Sequence, residues 1–235
     1  HLIMQYNISP ETLVADEKVK NMSVEKLLNK EVDTSILKDA TMTPNGALFK
    51  TTQKGFLPEL MQKMYDDRVK FKQLMIEAQK DYEKTKDPKL QKTIAKFNNI
   101  QMAKKISLNS AYGAIGNVWF RYYNLLVAEA ITTSGQLAIR YIEHTLNQYL
   151  NKILNTRGED YIIASDTDSV YITFDNLVSK VFVSDTDDNK IVEFLDRVAK
   201  EKLEPFIDKS YQDLAEYVNA YEQKMQMKRE VIADK

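Results

Sequence analysis

Between residues 57 and 112 apolar side chains recur at helical spacing with a single interruption, and that limits the fold more than any other feature. Leu57, Leu60, Met61, Met64, Tyr65, Val69, Leu74 and Met75 fall near three- and four-residue intervals, which predicts a helix running to about Thr85. Asp87-Pro88 breaks the pattern, with the proline well placed to open a second helix from Lys89 to about Tyr112. Two such helices joined by a short turn form an antiparallel hairpin about 40 Å long. With few strongly apolar positions on its outer faces, the hairpin is expected to project from the body.

The rest of the chain is mixed. A short helix is read over residues 24–32, and Thr43-Pro44-Asn45-Gly46 signals a tight hairpin, since Asn-Gly accepts positive φ. A long helix is predicted over 127–154 and ends at Arg157-Gly158. Tyr161-Ile162-Ile163-Ala164 and Val170-Tyr171-Ile172-Thr173-Phe174 read as two β-strands. Residues 191–218 read as helix and 225–233 as a final strand. An α+β chain follows.

Composition narrows the chemistry. There is no cysteine and there are only two histidines, His1 and His144, so thiolate or multi-histidine metal sites and cysteine nucleophiles are excluded. Any metal chemistry falls to carboxylates. No apolar run approaches the ~18 residues of a membrane span. The net charge of -1 conceals an asymmetry: residues 54–105 hold 13 basic against 7 acidic residues, whereas 159–235 hold 18 acidic against 10 basic. A basic segment beside an acidic one suits a protein that holds polyanions and divalent cations at adjoining places, although two solvated helical faces have the same composition.

Two motifs carry the chemistry. Asp166 and Asp168 lie in the turn between the two predicted strands, where paired carboxylates offer the hard oxygen ligands that magnesium or manganese prefers. A polar turn with two aspartates is also commonplace. Lys105, Asn109 and Tyr112 fall at i, i+4 and i+7, on one helix face, and can meet a phosphate, a base or sugar edge and a base face. Gly113 beside Tyr112 permits close backbone approach. Arg68 and Lys72, also spaced i, i+4, sit where antiparallel packing brings them towards Lys105. Singly, each of these residues also fits a helix end or a solvent face.

Taken together, Lys105-x3-Asn109-Ser110-x-Tyr112-Gly113 and, about fifty residues on, Asp166-Thr167-Asp168-Ser169 resemble the second and third signature motifs of family B DNA polymerases. The string from Asn109 through Trp119 to Tyr123, with Ala130-Ile131-Thr132-Thr133-x-Gly135-Gln136 and Asn7-Ile8-Ser9-Pro10-Glu11-Thr12, is similar to the replicative polymerases of T-even-type bacteriophages within that family. The resemblance implies a polymerase palm, an antiparallel sheet backed by helices, with an inserted two-helix fingers hairpin. Residues 1–53 would be the N-terminal part of the palm, 54–113 the fingers, and 114–235 the palm with its metal-binding hairpin.

It implies further that Lys105, Arg68 and Lys72 bind the triphosphate of an incoming deoxynucleotide and that Asn109, Tyr112 and Gly113 line the base-pair pocket. Asp168 and Asp166 would hold two magnesium ions, replaceable by manganese, with Glu230 nearby. Implied partners are primer–template DNA, deoxynucleoside triphosphates and, through regions outside this sequence, a sliding clamp and other replisome proteins, in the cytoplasm of an infected bacterial host. The family's first motif, with its metal-bridging aspartate, would lie just before His1, so the chain is expected to be part of a longer enzyme and inactive alone. The rival readings are a non-catalytic nucleic-acid-binding module with structural aspartates and, with no use for the Lys105 stripe, a carboxylate nuclease.

Overall fold

The computed structural model describes residues 1–15, 18–182 and 187–233. Its elements are helix α1 (Leu2–Gln5), helix α2 (Val24–Leu28), strands β1 (Ala40–Met42) and β2 (Leu48–Lys50), and helices α3 (Phe56–Thr85), α4 (Pro88–Ile115) and α5 (Leu125–Leu154). Strands β3 (Ile162–Asp166) and β4 (Ser169–Ile172) follow, then helices α6 (Asp175–Val181), α7 (Asp188–Val198) and α8 (Glu204–Tyr217), with a π-helical turn at Ala199–Leu203 joining the last two. The sheets are two separate antiparallel pairs, β1–β2 and β3–β4, each backed by helices.

Helix α5 is the spine. Asn124 caps its start through Oδ1, which accepts from the Val127 amide (3.2 Å), and Asn155 closes it in the left-handed region. One end of its apolar stripe, including Val127, Ala130, Ile131 and Leu137, packs with Tyr6, Ile8, Leu27, Phe49 and Leu214 in a first core. The other end, with Ile142, Leu146 and Leu150, packs with Tyr161, Leu203 and Tyr211 in a second. Thirty residues give a rod of about 45 Å, long enough to serve both.

Helices α3 and α4 form the predicted antiparallel hairpin. At its tip, Lys86 takes the left-handed conformation and Asp87 caps α4 by accepting from the Lys89 amide (2.9 Å), with Pro88 at the first helical position. Burial along the two helices is confined to Leu57, Pro58, Met61 and Ala78 on α3 and to Gln101 and Ile115 on α4. The base is thus rooted in the first core while most of the hairpin stands clear of it.

The root is held by Asn7-Ile8-Ser9-Pro10-Glu11-Thr12. Gly55, which precedes α3, has no side chain to cap it, so the first helical amides need outside acceptors. Glu11 Oε1 accepts from Phe56 N (2.5 Å) and Ser9 Oγ from Leu57 N (3.4 Å), while Asn7 Oδ1 accepts from Gly55 N (2.8 Å). Asn7 Nδ2 donates to the carbonyls of Lys50 (2.7 Å) and Gln53 (2.8 Å). A Cβ at position 55 would come within 2.6 Å of Ser9 Cβ, so only glycine fits. In the β1–β2 turn Gly46 has φ +86° and its carbonyl accepts from Val19 N (2.9 Å), as the Asn-Gly signal predicts.

Three expectations are corrected. The helix read over 24–32 ends at Leu28, with Asn29 as its C-terminal cap. The helix read over 191–218 is α7 and α8 with the π-helical turn between them, which shifts the phase of the buried stripe. The strand read over 225–233 is not a strand. Met225 and Met227 alternate onto the second core, but no neighbouring strand is there to complete a ladder. Side chains tether the segment instead: Gln5 Oε1 accepts from Lys224 N (3.1 Å), Glu204 Oε1 from Arg229 N (3.1 Å), and the Arg229 guanidinium pairs with Asp196. No described helix is long and apolar enough to cross a membrane.

Candidate nucleotide and metal site

The basic stripe lies on the α3–α4 hairpin. Lys104 Nζ reaches Asp67 Oδ2 at 2.8 Å, which places these two residues opposite one another across α3 and α4. The Lys104 ammonium, hydrogen-bonded to Asp67, holds its carboxyl below the usual carboxylate range, with Lys63 and Lys70 acting the same way. Arg68 follows Asp67, and its Nε is buried without a hydrogen-bond partner among the described residues. An orphaned buried donor on a cation is costly unless an acceptor arrives, and an anion is the natural one. Lys72, Lys105 and Asn109 are exposed, and neither lysine is ion-paired among the described residues. Tyr112 is 43% exposed, not a core tyrosine. Space around Gly113 is open: a Cβ there would meet nothing within 4 Å.

The two aspartates occupy one turn. Asp166 ends β3, Thr167 and Asp168 form the two-residue loop, and Ser169 opens β4, with Asp166 paired to Ser169. Thr167 has φ +23°, a region that β-branched residues rarely adopt and that two-residue hairpins demand at this position. Its Oγ1 donates to Asp166 Oδ1 (3.0 Å). Both carboxylates are exposed, and no basic side chain pairs with either among the described residues. As hard oxygen donors on a tight turn they fit two ligands of a magnesium site. They do not form a complete cage: no group of three potential metal-ligating side chains occurs among the described residues. Glu230 is in no such group; the segment that carries it is held through Arg229, whose guanidinium pairs with Asp196 and whose amide donates to Glu204.

Asp168 also bears on the second core. Tyr211 is 2% exposed; burial, and secondly the negative charge of Asp168, push its hydroxyl up to about 12, and burial likewise raises the fully buried Tyr6. In the unfolded chain both titrate near 10, so the folded state keeps these protons to higher pH. Their contribution to stability is full below about pH 10 and is lost as pH rises towards about 12. The urea midpoint is expected to fall across that window, and Tyr211→Phe to flatten the fall; a midpoint constant to pH 11 contradicts this.

Sequence reasoning passed over the surface between α4 and α5. Trp119 is 92% exposed, the Arg121 guanidinium lies 5.7 Å from the Tyr122 ring centroid, and Tyr122 packs against Phe56 and Phe120. An exposed indole and an exposed arginine–tyrosine pair two residues on are side chains on which aromatic rings can stack. Its signal, aromatics interleaved with a basic residue over 119–123, was in plain view.

The chain thus carries a projecting basic hairpin, a carboxylate turn on a β-hairpin and an aromatic ledge. The model of DNA polymerase family B matches residues 1–227. The chain belongs to the family B DNA polymerases. It is similar to the DNA-directed DNA polymerases of Escherichia phage RB69 (33% identity) and Enterobacteria phage T4 (33%), each aligned over 99% of this chain. It is also similar to the DNA polymerase delta catalytic subunit of Arabidopsis thaliana, at 30% identity over 74% of the chain and 14% of the plant protein. The chain spans 30% of the length of the two phage relatives.

Proposed function

We propose that this chain is the palm and fingers portion of a DNA-directed DNA polymerase, with residues 54–113 as fingers and residues 1–53 and 114–235 as palm. The observation that carries the reading is the stripe of Arg68, Lys105, Asn109 and Tyr112 on a basic hairpin whose Arg68 Nε lacks an acceptor. Arg68 and Lys105, with Lys72 further along, hold and neutralise the triphosphate of a deoxynucleotide. Asn109 and Tyr112 border its base and sugar, and open space at Gly113 lets them be approached. Asp166 and Asp168 would hold magnesium, which would supply activation of the primer 3′-hydroxyl and stabilisation of the leaving oxygen. The 3′-oxygen attacks the α-phosphorus and pyrophosphate leaves, with Lys105 and Arg68 balancing the charge that develops on it.

A third carboxylate completes such a site. In this reading it comes from the family's first motif in a longer enzyme, which also contacts primer–template DNA and a sliding clamp in the cytoplasm of an infected bacterium. A chimera carrying residues 1–235 in place of the aligned stretch of the phage RB69 polymerase tests this directly. The chimera is expected to extend a primer on a template with magnesium and deoxynucleotides, and the purified 235-residue chain is expected not to. A folded but inert chimera overturns the assignment; extension by the chain alone overturns the claim of an incomplete site.

A further inference from the structure

The ion pair across the hairpin lies next to both residues read as gripping the triphosphate. Asp67 and Lys104 are 37 positions apart in sequence and are the one ion pair between α3 and α4 among the described residues. Arg68 follows the first partner and Lys105 follows the second. One residue advances a right-handed helix by about 100° and about 1.5 Å. On antiparallel helices these rotations carry Arg68 and Lys105 to the same side of the hairpin, and the rises leave them only about 3 Å apart along its axis.

Little else in the interface specifies that alignment. Beside it stand buried Ala78 and Gln101, the Phe71–Phe97 pair with centroids 6.0 Å apart, half-buried aliphatic side chains, and a Gln91 Nε2 to Tyr82 hydroxyl bond (2.6 Å) near the tip. Methionines occur on both helices, and such adaptable side chains can repack. The two-residue tip at Lys86 and Asp87 fixes the register at the far end, but about 27 Å away from it packing of this kind accommodates an axial shift that would separate Arg68 from Lys105. A charged hydrogen bond cannot follow that shift. Lys104 and Asp67 are 32% and 37% exposed, so the pair adds little to global stability and can be altered without unfolding the chain.

We propose that Asp67 and Lys104 are a positioning pair that sets the register of α3 against α4 and so holds Arg68 and Lys105 at the spacing a triphosphate requires. The inference rests on reading Arg68 and Lys105 as triphosphate ligands; its structural half does not. The chain has no cysteine, so nitroxides can be placed at Q73C and N99C alone, and the interhelix distance read by electron paramagnetic resonance. In the same chain, binding of inorganic tripolyphosphate with magnesium is followed by calorimetry.

D67N and K104M are each expected to broaden or shift the distance distribution and to weaken tripolyphosphate binding about 5-fold to 10-fold. Their combination should be no worse than either alone, and the swapped variant D67K/K104D should restore both readouts to within about 2-fold of the parent. Circular dichroism and melting stay unchanged throughout. If D67N, K104M and the swap all leave the distances unaltered, or if the swap fails to restore them, the positioning role is overturned. If distances respond while K105A and R68A bind tripolyphosphate as the parent does, the register role stands and the triphosphate reading falls.

Discussion

Replacing Asp168 by alanine in the phage chimera lowers single-turnover nucleotide incorporation by about 10³-fold, with primer–template affinity within about 2-fold of the parent. The expected loss is large because the group removed is one of only two carboxylates that this chain's described residues bring to the turn, and a site that loses one of its few hard ligands holds magnesium poorly. It is selective because Asp168 is exposed and unpaired, so its removal costs the fold little, within about 0.5 kcal/mol. Asp168→Asn keeps the shape and loses the charge, and should be nearly as inactive. The measurement is rapid-quench incorporation beside fluorescence anisotropy of labelled DNA. Incorporation by Asp168→Ala at close to the parental rate removes the metal assignment.

The second large effect is on stability. Leu137→Ala and Leu146→Ala are each expected to lower the unfolding free energy by about 2–5 kcal/mol, measured by urea denaturation followed by circular dichroism. Both side chains are fully buried on α5, Leu137 in the first core and Leu146 in the second. Their neighbours are fixed by other elements, so a cavity opened there closes only in part. Ile106→Ala serves as the contrast: at 60% exposure it should change stability by less than about 0.5 kcal/mol. Equal losses at Leu137 and Ile106 would contradict the placement of the core.

What could be read from the residues follows from how local each signal is. The α3–α4 hairpin was legible because periodicity, Asp87-Pro88 and length all lie within one stretch. The Asn45-Gly46 turn and the Asp166–Asp168 turn were legible because turn chemistry and alternating strands are contiguous. Residues 225–233 misled because Met225, Met227, Val231 and Ile232 have strand character, yet a strand exists only with a partner. The π-helical turn was hidden because one extra residue per turn leaves helix propensity untouched. Interhelix register, which pairs Asp67 with Lys104, has no local signature at all. Asn7, Ser9 and Glu11 stood out only by resemblance, although their task is to satisfy the amides at the start of α3.

Helix α5 has a consequence for accuracy. Its first half bears on the core that roots the α3–α4 hairpin, and its second half on the core that seats the β3–β4 turn. The proposed phosphate grip and the proposed metal turn are therefore referenced to one rod, like two instruments bolted to a single rail. Angular play in that rod becomes positional error between them: over the roughly 29 Å from Gly135 to the end of α5, a bend of about 1° displaces that end by roughly 0.5 Å. Gly135, the only glycine in α5, sits near the middle of that rail, where a Cβ would rest 3.4 Å from Leu2 Cδ1. Helix α1 thus braces the rod at its most compliant point, and the stiffness of that contact limits how sharply the two halves can be aligned.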